Sequence, residues 1–137
     1  MGSPAFEELA VGAELDPQEY GPLTRTDFVR YQGASGDFNP IHHDEEFARA
    51  AGFPTVFSVG MLQAGILATY ATDRFGPEHV RAFGVRFREQ VWPGDRLVCS
   101  GRVAGLDEAA RTVELELEAR RLGGGVAVTA TATFVVP

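Results

Sequence analysis

One cysteine, Cys99, stands in a chain of 137 residues, which excludes an intrachain disulfide framework and a multi-cysteine zinc site. A lone cysteine in a strand-like run reads first as a small buried apolar residue and only second as a reactive thiol. Basic charge is also scarce. Twelve lysines and arginines face nineteen aspartates and glutamates, a formal net charge of −7. No basic run supplies the cationic surface that a nucleic-acid binder needs to displace counterions from phosphates, and an anionic membrane gains nothing from the net charge. Long apolar runs are missing too. Ala50 to Thr72 carries no charged side chain, but Gly52, Pro54, Ser58, Gln63 and Thr69 interrupt it, and a spanning helix needs about 20 mainly apolar residues. The opening residues, Met1 to Phe6, show neither a basic n-region nor an apolar h-region. No signal peptide is visible there, so a cytoplasmic location is the expectation.

What is present is the composition of one folded domain. Hydrophobic residues make up 45% and charged residues 23%, enough for a single core. No linker, repeat or low-complexity segment divides residues 1–137. The second half reads as strands. Val113, Leu115, Leu117 and Ala119 alternate with Glu114, Glu116 and Glu118, the period of a half-buried antiparallel strand. Three glycines, Gly123 to Gly125, then turn the chain into a second alternating run from Val126 to Val136. Two earlier runs behave alike. Phe83, Val85 and Phe87 stand against Arg86 and Arg88, and Leu97, Cys99 and Val103 against Ser100 and Arg102. The turn Trp92-Pro93-Gly94-Asp95 separates them. These four consecutive strands predict an antiparallel meander, with a weaker strand near Leu15 to Tyr20.

The first half reads as helices. Thr26 is expected to cap a helix from Asp27 to about Ala34, closed by Gly36. Asp44 is a second N-cap, with Glu45 and Glu46 where carboxylates suit the helix dipole, and Gly52 stops that helix. The third and longest helix runs from Ser58 to about Phe75. Val59, Leu62, Ile66 and Tyr70 share one side, while Met61, Ala64, Leu67, Ala68 and Ala71 wrap round the others. A helix apolar nearly all round has to be enclosed, and one curved sheet is all this chain offers. The fold class is therefore α+β, a long helix gripped by an antiparallel sheet.

Chemistry concentrates between the first two helices, in Ser35-Gly36-Asp37-Phe38-Asn39-Pro40-Ile41-His42-His43-Asp44. Pro40 restricts itself and Asn39 to turn or extended geometry, so the loop can fold the Asp37 carboxylate and the His42 imidazole toward one point. Such a pair suits acid–base work at neutral pH. The residue types also describe an ordinary turn built by Asp37 and Asn39, with His42 packed on its neighbours. His42-His43-Asp44 invites a metal reading. Neighbouring side chains of an extended loop point opposite ways, however, and no third or fourth ligand stands at metal-site spacing, so no metal is expected. His79, beside Gly76-Pro77, reads as a loop histidine.

The run Ser35-Gly36-Asp37-x-Asn39-Pro40-Ile41-His42-x-Asp44, followed by Ala48, Gly52 and Gly60-Met61-Leu62, resembles the MaoC-like (R)-specific enoyl-CoA hydratases and (3R)-hydroxyacyl thioester dehydratases. At average residue usage a fixed Asp-x-Asn-Pro-x-His arises by chance in a chain this long with a probability on the order of 10⁻⁴. The resemblance extends over almost the whole chain, including Trp92-Pro93-Gly94-Asp95. It implies a hot-dog fold, with the sheet wrapped round the helix from Ser58 to Phe75. It also implies a hydro-lyase that reversibly adds water to trans-2-enoyl thioesters of CoA or acyl-carrier protein, in fatty-acid or related lipid metabolism.

The family's catalytic pair falls on Asp37 and His42, which would hold one water, with Asp37 as base and His42 assisting proton delivery. Gly60 lies in the first turn of the long helix, where N–H groups are free and the dipole favours anions. Its N–H is the expected oxyanion donor; a tight contact between helix and sheet is the other use for a glycine there. Asn39, grouped with Gly60 and Ser58 on the substrate side of the site, is expected to brace the loop or orient the pair. Two departures bear on the acyl pocket and leave the pair intact. Val59, preceded by Ser58, stands where many members carry histidine, and Ala68 and Thr69 stand where some short-chain members carry serine. Ser58 is expected to cap the helix, with a substrate contact as the alternative.

Arg86 and Arg88 are candidates for the phosphates of the carrier. No cofactor is implied beyond the CoA or phosphopantetheine that the substrate brings. Unpaired sheet edges and an uncovered helix flank imply at least a dimer, and the resemblance adds that such subunits build their acyl-CoA sites along the interface, which puts Asp37 and His42 near a subunit boundary. A homodimer is the expectation. A heteromer, a supporting subunit that only binds the acyl thioester, and a thioesterase on the same fold are the alternatives.

Overall fold

A computed structural model describes residues 2–137. After a 3-10 turn at Phe6–Glu8 come strand β1 (Glu14–Tyr20) and helices α1 (Arg25–Ser35), α2 (Glu45–Ala50) and α3 (Gly60–Phe75). Strands β2 (Val80–Phe87), β3 (Leu97–Asp107), β4 (Thr112–Arg121) and β5 (Val126–Val135) complete it. Thr24, rather than Thr26, caps α1. Its hydroxyl accepts from Asp27 N at 3.3 Å, while Asp27 Oδ2 accepts from Thr24 N at 2.8 Å. This reciprocal cap needs an acceptor three residues on, which Thr24 has in Asp27 and Thr26 lacks in Val29. Gly36 closes the helix in the left-handed region, at φ 76°, as expected. Asp44 caps α2 through Phe47 N at 3.2 Å, also as expected.

Helix α3 begins at Gly60, two residues later than its apolar pattern predicts, and Ser58 does not cap it. The N-cap position is Val59, without a side-chain bond. The Ser58 hydroxyl instead donates to Gln63 Oε1 at 2.6 Å, in a pair that is buried on both sides.

The five strands form one sheet in the order β1-β3-β4-β5-β2, every neighbouring pair antiparallel. The predicted four-strand meander therefore holds only for β3, β4 and β5. β2 lies at the far edge beside β5, and residues 88–96 carry the chain across to β3. Passing three strand spacings needs about 14 Å, well within the reach of nine extended residues. A hairpin needs only two to five. The crossing segment is tied down on its way: Arg88 N donates to Ala127 O and Ser58 N donates to Val91 O, both at 2.8 Å.

β4 buries Val113, Leu115, Leu117 and Ala119 and turns Glu114 and Glu116 outward, the alternation read from its sequence. Leu67, Tyr70, Ala71 and Phe75 of α3 are fully buried against this face, with the Phe75 and Phe134 rings 5.3 Å apart. Burial of each large side chain contributes about 1.5–3 kcal/mol. Cys99 is wholly buried in β3, and burial pushes its thiol up to about 12, so it is core and not nucleophile. β2 departs from its expected pattern: Phe83 and Val85 are half-buried, but Phe87 is exposed. A helix of sixteen residues packed on a five-stranded antiparallel sheet is the hot-dog architecture. Among the described residues no helix is long and apolar enough to cross a membrane.

Candidate active site

The loop between α1 and α2 is fixed at close intervals by its own polar groups. Asn39 N donates to Asp37 Oδ1 at 3.1 Å, and Ile41 N donates to Asn39 Oδ1 at the same distance. Asn39 thus ties the carboxylate on one side and starts the 3-10 turn Pro40–His42 on the other. Pro40 suits this turn because its first N–H has no partner to lose.

His42 is buried, and its Nδ1 meets Phe57 O at 2.7 Å. A carbonyl only accepts, so Nδ1 carries the hydrogen and Nε2 is left for chemistry. The ring stands edge-on to Phe57, with centroids 5.3 Å apart. Phe57 in turn packs on Phe53 and Trp92, so the crossing segment supports the wall behind the imidazole. Asp37 is exposed. His43 points the other way from His42, to Gln32 Oε1 at 3.0 Å.

Gly60 is the first residue of α3. Its N–H makes no hydrogen bond among the described residues, as the geometry of a helix start dictates. A Cβ placed on it would stand 3.0 Å from Phe87 Cε1. Gly60 thus combines an N–H without a partner and a close approach by the sheet.

Arg86 and Arg88 lie elsewhere. They line a depression of about 880 Å³ on the polar side of the sheet, with Arg102, Glu116, Thr129 and Thr131. Asp37, His42 and Gly60 are not among the residues that line it. A second groove of about 550 Å³ runs between α1 and α3, walled by Tyr31, Ala34, Leu62 and Ile66.

Residues 6–121 match the profile of the MaoC like domain family. The chain belongs to the MaoC-like family. The (R)-specific enoyl-CoA hydratase of Rhodospirillum rubrum is 28% identical over 134 residues, covering 96% of this chain and 91% of that one. Two longer relatives are matched over only part of their lengths: the peroxisomal hydratase-dehydrogenase-epimerase of Saccharomyces cerevisiae, 39% identical over 54% of this chain and 8% of that one, and the peroxisomal enoyl-CoA hydratase 2 of Arabidopsis thaliana, 33% identical over 67% and 31%. Among solved structures, a MaoC-like dehydratase superposes with a TM-score of 0.91 at 33% identity, over 99% of this chain and 43% of that one. A chain of the ChsH1-ChsH2 complex from Mycobacterium tuberculosis gives 0.82 at 26% identity, over 93% and 98%.

Three residues of this MaoC-like site escape a reading of the loop alone. Phe57 acts through its carbonyl, which no residue type announces. Gln63 answers Ser58 from one turn inside the helix. Gln32 carried a signal: it lies four residues after the buried Phe28 and so shares its inward face of α1.

Proposed function

We propose that this chain is a hydro-lyase, adding water reversibly to trans-2-enoyl thioesters of CoA or acyl-carrier protein to give (3R)-hydroxyacyl thioesters, in fatty-acid or related lipid metabolism. The observation that carries this reading is the pinned His42, whose Nδ1–H is committed to Phe57 O within the loop that braces Asp37. The likeness to the Rhodospirillum rubrum hydratase over nearly the whole chain supports the reaction class.

The chemistry needs one water. Its oxygen bonds C3 of the enoyl group as Asp37 accepts one of its protons, and the electron pair of the double bond moves toward the thioester oxygen. Gly60 N–H stabilises that developing negative charge. A proton then returns to C2 with His42 Nε2 assisting, so H and OH are both added and the pair regains its starting charge. Phe57 keeps Nε2 as the reactive nitrogen throughout.

The assembly belongs to the same proposal. β1 guards its edge with Pro17 and an irregular register between Leu15 and Gln18, both of which discourage pairing. β2, at the other edge, carries no proline and keeps an unbroken register from Ala82 to Phe87. Its end lies against Gly60, and Met61 beside it is exposed. Pairing β2 with a second copy would cover that edge and set the site near a subunit boundary. It would also offer Arg86 and Arg88 to the phosphates of a carrier held at the neighbour's loop. The likeness to a chain of the ChsH1-ChsH2 complex supports pairing with a different chain as the second form of this assembly. A cytoplasmic location completes the proposal, since a free buried Cys99 fits a reducing compartment.

The test is a spectrophotometric hydration assay of the purified chain on crotonyl-, octenoyl- and bulkier enoyl-CoA. Enoyl absorbance falls without release of free thiol if the reading holds. Thiol release at a comparable rate would instead establish a thioesterase.

A further inference from the structure

Gln32 is a buried polar side chain, 2% exposed, in the second half of α1. It is outside the loop motif, yet both ends of its amide are engaged on the loop. Nε2 donates to Asn39 O at 3.0 Å, and Oε1 receives His43 Nδ1 at 3.0 Å. The orientation is settled by chemistry. Asn39 O can only accept, so the NH₂ group must face it. That leaves Oε1 toward His43, which therefore brings a hydrogen on Nδ1.

The two anchor points bracket His42. Asn39 O also accepts His42 N at 3.2 Å, and Asn39 N donates to Asp37 Oδ1 at 3.1 Å. One carbonyl thus receives the Gln32 amide and the backbone of His42, in the residue whose N–H holds the carboxylate of Asp37. A rigid helix turn sets where both ends of the motif sit. Residues that support reacting groups from a rigid element fix their separation, and small misplacements there cost large factors in rate.

We propose that Gln32 is a positioning residue for the Asp37–His42 pair, acting through Asn39 and His43. This rests on the hydratase reading of that pair, and the experiment separates the two. Gln32→Met keeps the length and burial of the side chain but removes both bonds. His43→Ala, at an exposed position, removes one bond with little risk to folding. Asp37→Asn reports on the pair itself.

The chain has three histidines, and each Nδ1 faces an oxygen: His42 on Phe57 O, His43 on Gln32 Oε1, His79 on Phe75 O. Nitrogen-15 spectra of the three neutral imidazoles should show Nδ1–H forms in the native chain. In Gln32→Met only His43 should move to the Nε2–H form, with His79 as the internal reference. On crotonyl-CoA, kcat should fall about 10- to 100-fold with KM within about threefold. His43→Ala should show the same split at about three- to tenfold.

An unchanged kcat in both variants, with Asp37→Asn inactive, overturns the role of Gln32 alone. So does an unshifted His43 signal in Gln32→Met. Full activity of Asp37→Asn overturns the hydratase assignment of the pair. Should Gln32→Met fail to fold, the kcat of His43→Ala decides.

Discussion

The ring of Phe87, at the end of the edge strand, stands 3.0 Å from the point a side-chain carbon on Gly60 would occupy. Sheet edge and helix start are in contact at the residue whose free N–H is proposed as the oxyanion donor. Any side chain there meets an aromatic ring and also stands beside the donor.

Gly60→Ala separates these two effects. Phe87 is 54% exposed and its ring can swing away, so the variant should melt within a few degrees of the parent. Turnover should fall about 10- to 10²-fold through crowding of the oxyanion donor. Adding Phe87→Ala removes the contact. The double variant should remain as slow as Gly60→Ala, and recovery of the native rate would show that crowding by the ring was the whole effect.

Asp37→Asn and His42→Ala should each lower kcat by about 10²–10⁴. Their stabilities should differ. Asp37 is exposed and its loss leaves the melting temperature near native, whereas His42→Ala opens a buried site and leaves Phe57 O without its partner. That variant should melt several degrees lower. Near-native rates in both would remove the pair from the mechanism.

Light scattering at micromolar concentration should give at least twice the mass of the 14.8 kDa chain. Gly84→Pro, in the middle of the free edge, should shift the chain toward monomer and reduce activity in step, because proline disrupts strand pairing. A fully active monomer would refute a site that depends on the subunit boundary.

Glu45 predicts an acid-sensitive contribution in α2. Hydrogen bonding from the Thr55 hydroxyl, and then the guanidinium of Arg25 2.6 Å away, hold its carboxyl below the ordinary value of 4.5. A lowered folded value means the unfolded chain binds more protons, so this contribution is present above 4.5 and is lost as pH falls through the folded value. The melting temperatures of the parent and Glu45→Gln should differ at neutral pH and converge once the pH has fallen below the lowered folded value. A constant difference across that range would exclude the linkage.

What the sequence made legible was local. Asp44 caps its helix and Leu115 and Leu117 turn inward because a few neighbouring residues decide those outcomes. The place of β2 was not legible, since the residues of a hairpin strand and of an edge strand reached by a crossover look alike. Ser58 reads as a cap from its position, and only the tertiary fold shows its hydroxyl turned to Gln63. Thr24 was legible in principle from Asp27 three residues on. The Asp37–Asn39–His42 loop stood out because its spacing is improbable, while its supports at Gln32 and Phe57 act through an amide and a carbonyl outside the motif.

The crossing segment has a kinetic consequence. β3, β4 and β5 adjoin through tight turns, but β2 pairs across a long separation, Phe87 opposite Val128, and closing that loop costs chain entropy before any contact repays it. The three-stranded centre is therefore expected to form first, with β2, residues 88–96 and the start of α3 docking afterwards. Phe57, which pins His42, leans on Trp92 of that late-arriving segment. In native-state hydrogen exchange, amides of β4 should be protected longest and those joining β2 to β5 should open earlier. In mild urea catalysis should disappear before the β4 amides lose protection, making turnover a reporter of the last step of folding.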